Sequence, residues 1–210
     1  MILTIAIILS YLLGSIPTAY IYGRVYKGID IREHGSGNVG ATNVFRVLGK
    51  GPGIIVLLID ILKGVLAVAG VSTVLSLADI LHYILLGFAV VAGHNWTIFL
   101  KFKGGKGVAT SLGVLIGLTL KIPSIQIVLL ITLGSWIVVF IITRLVSLAS
   151  MIAAVILAIA MVATGQPLPL ICLGSLFCVF VIFRHRPNID RLLKGEEPKV
   201  PSLWPFSKHK

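Results

Sequence analysis

Three polar stretches interrupt an otherwise apolar chain, and each sets glycines or a histidine beside cations. The first reads Gly35-Ser36-Gly37-Asn38-Val39-Gly40-Ala41-Thr42-Asn43-Val44-Phe45-Arg46. Glycines this close together let backbone N–H groups approach an anion. Thr42 or Asn43 is placed to cap a helix start, where the dipole and free amides favour phosphate. Arg46 follows Thr42 by four residues, hence on the same helix face, and its guanidinium forks onto phosphate oxygens. Ser36 and Arg46 are candidate catalytic residues, with Gly37, Asn38, Gly40, Ala41, Thr42 and Asn43 around the phosphate. The literal G-x-G-x-x-G at Gly35, Gly37 and Gly40 does not mark a dinucleotide fold, because an apolar helix and a charged linker precede it rather than a strand.

The second stretch runs from Gly93 to Thr110 and contains Gly93-His94-Asn95-Trp96 and Gly104-Gly105-Lys106-Gly107. It is not a Walker A loop: position 100 is Leu and a glycine follows Lys106. A glycine nest, a lysine and a helix N-terminus nevertheless give the same phosphate-binding logic. Lys106 is expected at the chemistry, and His94, Gly104, Gly105 and Gly107 at the phosphate. The third stretch, Arg184-His185-Arg186-Pro187-Asn188, leaves the last apolar run. His185 can donate to an oxyanion or take a proton near neutral pH, and Asn188 joins it as a candidate. His185 and Asp190 also spell H-x-x-x-x-D, a spacing used by thioester-dependent acyltransferases. Six residues are a weak match, read here as accidental.

The elements that must carry these groups follow from composition. The chain has 210 residues, 57% hydrophobic and 12% charged, whereas soluble domains run at about 45–50% and about 25%. Disorder, a coiled coil and a secreted disulfide scaffold are excluded; an integral membrane protein is indicated. Five apolar runs are long enough to span: Met1–Tyr22, Pro52–Leu77, Ser124–Thr143, Ser147–Thr164 and Leu168–Phe183. Two shorter runs, Ile80–Gly93 and Gly107–Leu120, bring the count to seven. The expected fold is all-α, a polytopic bundle of seven spans, two of them short. Because both short runs border the second stretch, that loop is expected to be recessed.

Net charge is +11. In a soluble protein that would point to nucleic acid; here it reads as positive-inside bias and a site for anions, with no nucleic-acid partner. Sixteen of the eighteen Lys and Arg fall on one face, the exceptions being Lys63 and Lys121. The N-terminus is therefore expected outside and the C-terminus in the cytoplasm. Asp60 and Lys63 sit three apart within a span and are read as a pair facing the bundle. Ser147 and Ser150 begin the sixth span; one of them reaches a phosphate, and Ser150 is the candidate. Cys172 and Cys178 lack metal or disulfide spacing and are read as packing residues. No metal site is expected.

Together, GSGNVGATNVFR (35–46), GHNW with FKGGKGVAT (93–110) and HRPNIDRLLKGEE (185–197) resemble the bacterial integral-membrane glycerol-3-phosphate acyltransferases that use acyl phosphate as donor. One departure is Thr97, where that family is expected to have proline. The resemblance implies acyl transfer from acyl phosphate to the 1-hydroxyl of glycerol 3-phosphate. Lysophosphatidic acid and phosphate would result, with no cofactor, in a multi-pass protein of the bacterial cytoplasmic (inner) membrane whose active site faces the cytoplasm. A separate soluble enzyme would supply the donor. Residues 1–197 would form the transmembrane acyltransferase domain and 198–210 a cytoplasmic tail.

Cations and backbone donors abound, while no convincing Ser-His-Asp set is present, so direct attack without an acyl-enzyme is expected. Ser36, Arg46, Lys106, His185 and Asn188 would hold two phosphates, helped by amides around Gly37, Gly40 and Gly105. The base is His185 or a substrate phosphate oxygen; the latter is preferred, because a histidine among cations is a poor base. The main alternative is a transporter for organic phosphates, which would place its site near the midplane rather than on one face. A membrane scaffold with basic loops would explain the lysines and arginines but not the glycines.

Overall fold

A computed structural model describes residues 1–200; positions 201–210 of the expected tail, with Lys208 and Lys210, lie outside the described residues. All regular structure among the described residues is helical. Helix α1 (Ile2–Ser15) is separated by Ile16 and Pro17 from α2 (Thr18–Lys27). This corrects the single helix expected over Met1–Tyr22: proline lacks the N–H and pushes the residue before it out of helical geometry. A short 3-10 turn (Ile31–Glu33) and α3 (Ala41–Leu48) precede α4 (Lys50–Val65), which continues through a π segment (Leu66–Val71) into a last turn, α5 (Ser72–Val74). Then follow α6 (Ile80–Asn95), α7 (Val108–Thr119), α8 (Ile125–Thr143), α9 (Val146–Ala163), α10 (Leu168–Arg184) and α11 (Arg186–Leu193).

Ile2–Lys27, Lys50–Val74, Ile80–Leu100, Ile125–Thr143 and Val146–Ala163 are long and apolar enough to cross a bilayer. Helix α10 with α11, bent by 59°, makes a sixth candidate. Helix α7 is the remaining expected span, and its 12 residues rise only about 18 Å.

Small residues let these helices approach closely, as membrane helices require in the absence of a hydrophobic drive between them. A Cβ on Gly14 would lie 2.0 Å from the Val90 carbonyl oxygen, and one on Gly93 would lie 2.2 Å from that of Tyr11, which seats α1 against α6. A Cβ on Gly64 would meet the Thr110 carbonyl at 2.3 Å, so α4 and the first turn of α7 share a tight crossing. Gly64 lies fourteen residues along α4 from Lys50, about 21 Å. The loop between α6 and α7 is therefore set deep against α4. Of the two flanking helices expected to be short only α7 is so; α6 with the turn that follows it (Ile80–Leu100) reaches spanning length, because the helix runs on past Gly93 to Asn95. The largest core cluster joins α6, α7, α9 and α10 around Phe177, Leu118, Val90 and Met161.

Candidate active site

The first polar stretch is a self-supporting loop ahead of α3. The Asn43 side chain donates to the carbonyls of Ile31 (3.1 Å) and His34 (3.0 Å) and accepts from the Ser36 amide at 2.9 Å. Gly37 stands at φ +69°, where its N–H donates to His34 O at 3.1 Å and a Cβ would lie 2.9 Å from the Arg32 carbonyl. Two expectations are corrected here. The α3 N-cap is Gly40, without a side-chain cap; Thr42 and Asn43 are inside the helix, and buried Asn43 ties the loop rather than facing outward. The Ser36 and Gly37 amides are consumed within the loop, by Asn43 Oδ1 and His34 O. Ser36, Thr42 and Arg46 are exposed, and Asn38 is half-buried.

The second stretch is likewise closed on itself. Gly104 N–H donates to Asn95 O (3.1 Å) and Gly105 N–H to His94 O (3.0 Å), so these amides are not the anion donors expected of them. Free amides come one step later. Gly107, at φ +79°, is the α7 N-cap without a side-chain cap. Ser111 is the first α7 residue to bond back, to Gly107 O at 2.7 Å. The preceding amides remain at a positively polarised helix end. Thr97 replaces the proline expected from the family with specific work: its hydroxyl donates to Ser15 O at 2.5 Å, across the α1 break, and accepts from Phe99 N at 3.3 Å.

The third stretch locks the second. Arg184 donates through Nε to Gly105 O (3.0 Å) and through Nη2 to Gly104 O (2.7 Å). Beyond it the chain turns at His185, and Pro187 opens α11, where a missing N–H costs nothing. Lys106 Nζ donates to Asn188 Oδ1. Asn188 Nδ2 donates to Glu197 Oε1 at 2.6 Å, and Arg191 Nε to Glu197 Oε2 at 2.7 Å. The Ser147 hydroxyl approaches the same carboxylate without full hydrogen-bond geometry and stays buried and otherwise unpartnered. Ser150 is engaged elsewhere: it donates to Val146 O (2.7 Å) and accepts from Trp136 Nε1 (3.2 Å). Of the two serines, Ser147 is the one at the site.

The stretches converge at Gly105. A Cβ there would lie 2.2 Å from His94 Nε2 and 2.8 Å from the Val39 carbonyl oxygen, while Arg184 holds its own carbonyl. Loop 35–40, loop 104–107 and the start of α11 thus meet around Lys106. Burial pushes the Lys106 pKa down to about 8; Arg191, Arg184 and Arg46 push the same way and Glu197 opposes them. Arg46 is therefore within electrostatic reach of Lys106. Burial, then the Lys106 charge, brings His185 down to about 4. Its Nδ1 lies 2.7 Å from Val181 O. A carbonyl only accepts, so Nδ1 carries the proton and Nε2 presents a lone pair. Asp190 is exposed and His185 is oriented by Val181 instead, so the H-x-x-x-x-D match has no paired geometry. Although burial raises Glu197, hydrogen bonds from Asn188 and Arg191, with the Ser147 hydroxyl close by, outweigh it and hold the carboxyl below its ordinary pKa.

An all-helical integral membrane protein with a cation cluster at one end of its bundle is the class that fold and site define. The family profile described as "Glycerol-3-phosphate acyltransferase" matches residues 4–195. The glycerol-3-phosphate acyltransferase of Trichormus variabilis is 47% identical over 209 residues, covering 92% of this chain and 90% of the relative. That of a Synechocystis species is 48% identical over 204 residues, covering 92% and 89%. The crystal structure of PlsY (YgiH), an integral membrane glycerol 3-phosphate acyltransferase, in its glycerol 3-phosphate form superposes with TM-score 0.85 at 38% identity and covers 96% of both chains. Its lysophosphatidic acid form superposes at 0.81 and 37%, again covering 96% of both. The chain belongs to the glycerol-3-phosphate acyltransferase family.

Proposed function

We propose that this chain transfers a fatty acyl group from acyl phosphate to the 1-hydroxyl of glycerol 3-phosphate, releasing lysophosphatidic acid and inorganic phosphate. The observation that carries this reading is the meeting of Val39, Gly105, Lys106, Arg184 and Asn188 in one cation-rich site. The two ligand states named for the solved relatives, glycerol 3-phosphate and lysophosphatidic acid, are the acceptor and product of that reaction.

Lys106, Arg46, Ser36 and Asn188 bind and orient the two phosphates, with the α7 amides and Ser147 adding donors. An apolar groove of about 270 Å³ lined by Met151, Ile152, Val155, Ile156 and Ile182 runs between α9 and α10. It begins one turn from Ser147 and ends three residues before His185, so an alkyl chain lying in it presents its carbonyl to the site. The glycerol oxygen attacks that carbonyl carbon, the carbon–oxygen bond to phosphate breaks, and the proton passes to a substrate phosphate oxygen. No acyl-enzyme forms. His185 accepts a hydrogen bond from the attacking hydroxyl at Nε2 and orients it; an imidazole near 4 is too weak a base to do more at neutral pH. Positioning and preorganised charge suffice because an acyl phosphate carries a good leaving group.

The same reading places seven crossings in a bacterial inner membrane, with the N-terminus outside and the site cytoplasmic. Residues 1–197 form one domain followed by a tail from 198. The donor arrives from a soluble acyl-phosphate-forming enzyme. Purified protein given radiolabelled glycerol 3-phosphate should make lysophosphatidic acid with acyl phosphate and none with acyl-CoA or acyl carrier protein. Turnover with either thioester, or label from an acyl-labelled donor trapped on the protein, overturns the reading. Phosphate-ester uptake into proteoliposomes without acyl transfer would favour a transporter.

A further inference from the structure

Asp60 and Lys63 lie in α4, 2% and 3% exposed. Neither can touch a substrate in the site described above. A buried ion pair is a poor device for stability, since apolar residues of similar size serve as well or better, and ionisable residues in a span call for a use. Their contacts point to one. Lys63 Nζ donates to Asp60 Oδ1 (2.8 Å) and to Ile16 O (2.5 Å) at the α1 break. The same Asp60 oxygen lies 3.8 Å from His94 Nδ1, close enough for the carboxylate to orient the imidazole by charge. The far edge of that ring, Nε2, occupies the space a Cβ on Gly105 would need, and His94 O takes the Gly105 N–H. Ring and carbonyl of His94 therefore both fix the residue that precedes Lys106. Thr97, on the neighbouring carbonyl of the same break, anchors the other part of the loop.

We propose that Asp60 and Lys63 are positioning residues: tethered to the break in α1, they hold His94 against Gly105 and so set where the 104–107 loop presents Lys106 to phosphate. The inference rests on the phosphate reading of that loop. The chain of contacts is continuous from Ile16 through Lys63, Asp60 and His94 to Gly105, and it gives a charged pair inside the bundle a catalytic consequence without exposure to substrate.

The test compares three proteins in full-length purified form: wild type, Lys106→Met, and the double variant Asp60→Leu/Lys63→Met. Lys106→Met identifies which substrate, glycerol 3-phosphate or acyl phosphate, the loop holds, by raising its KM. The double variant removes both charges together, so it should melt within about 3 °C of wild type. It should raise the KM of that same substrate at least about tenfold, with kcat changed less than about threefold. A pair with only a structural role leaves both KM values unchanged at a retained melting temperature, and that result overturns the inference. Unchanged KM values in Lys106→Met instead overturn the phosphate reading and the inference with it. Should the double variant fail to fold, His94→Asn replaces it. That change keeps a nitrogen near the Nδ1 position facing Asp60 but removes the ring edge beneath Gly105. It should give the same KM pattern, and wild-type KM values in it overturn the inference.

Discussion

Raising the pH through 8 should disarm the enzyme while leaving it folded. Burial and the surrounding arginines bring Lys106 down to about 8, well below its ordinary value of about 10.4. The charged form is the one that binds phosphate. kcat/KM reports the free enzyme, so it should be level up to about pH 8 and then fall about tenfold for each further unit. A bound phosphate dianion adds negative charge beside the ammonium and raises its pKa. The corresponding limb in kcat should therefore lie at higher pH than the limb in kcat/KM. Loss of fold is separable by sign. Between about 8 and about 10.4 the unfolded chain binds the Lys106 proton more tightly than the folded one, so this group makes stability rise with pH across that window. In Lys106→Arg the charge persists to beyond about pH 12; activity should be lower throughout, because arginine is longer and planar, but the limb near 8 should vanish. Steady-state assays on purified protein from about pH 6.5 to about pH 9.5 decide the matter. A flat kcat/KM over that range, or an identical alkaline limb in Lys106→Arg, would mean that the Lys106 charge does not bind the phosphate.

Other residues give sharper single-point tests. Asn188→Ala strips Lys106 and Glu197 of a shared partner; hydrogen bonds to charged groups contribute about 1.5–3 kcal/mol, so kcat/KM should fall about 10- to 100-fold, and a change under twofold would remove Asn188 from the site. Asp190→Ala should stay within about twofold of wild type, whereas His185→Ala should lose about 10- to 100-fold in kcat; a loss beyond about 10⁴ would make His185 the base after all. Gly105→Ala places a Cβ 2.2 Å from His94 Nε2 and 2.8 Å from Val39 O. Circular dichroism should show unchanged helix content while kcat/KM drops at least about 100-fold, and wild-type kinetics would mean the loop shifts at no cost.

The apolar helices and the gathering of three stretches at one end were legible from hydrophobic run length and charge placement, because both are one-dimensional properties. The loop chemistry was less so. Closely spaced glycines predicted open anion nests, yet the Ser36, Gly37, Gly104 and Gly105 amides bond within their own loops. A sequence shows which backbones can bend but not where their donors end up. Arg184 reads as any arginine closing a span until its guanidinium is seen on two carbonyls about 80 residues earlier in the chain. Ser147 and Ser150 are one turn apart, and only the rotation of α9, with Trp136 on Ser150, selects between them. Glu197 closes the third motif, but nothing in that motif told that its carboxylate would hold Asn188 and Arg191. The break in α1 did have one: Pro17 was visible inside a run read as continuous.

On the proposed function, Arg46, on α3, and Lys106, ahead of α7, serve one pocket. A double-mutant cycle on kcat/KM with Arg46→Ala, Lys106→Met and the combination tests it directly. Residues that share a partner couple by about 0.5–3 kcal/mol, whereas independent sites add within about 0.3–0.5 kcal/mol. With a shared pocket, the combined loss should differ from the sum of the single losses by at least about 1 kcal/mol. Strict additivity, with each single variant impaired, would contradict it.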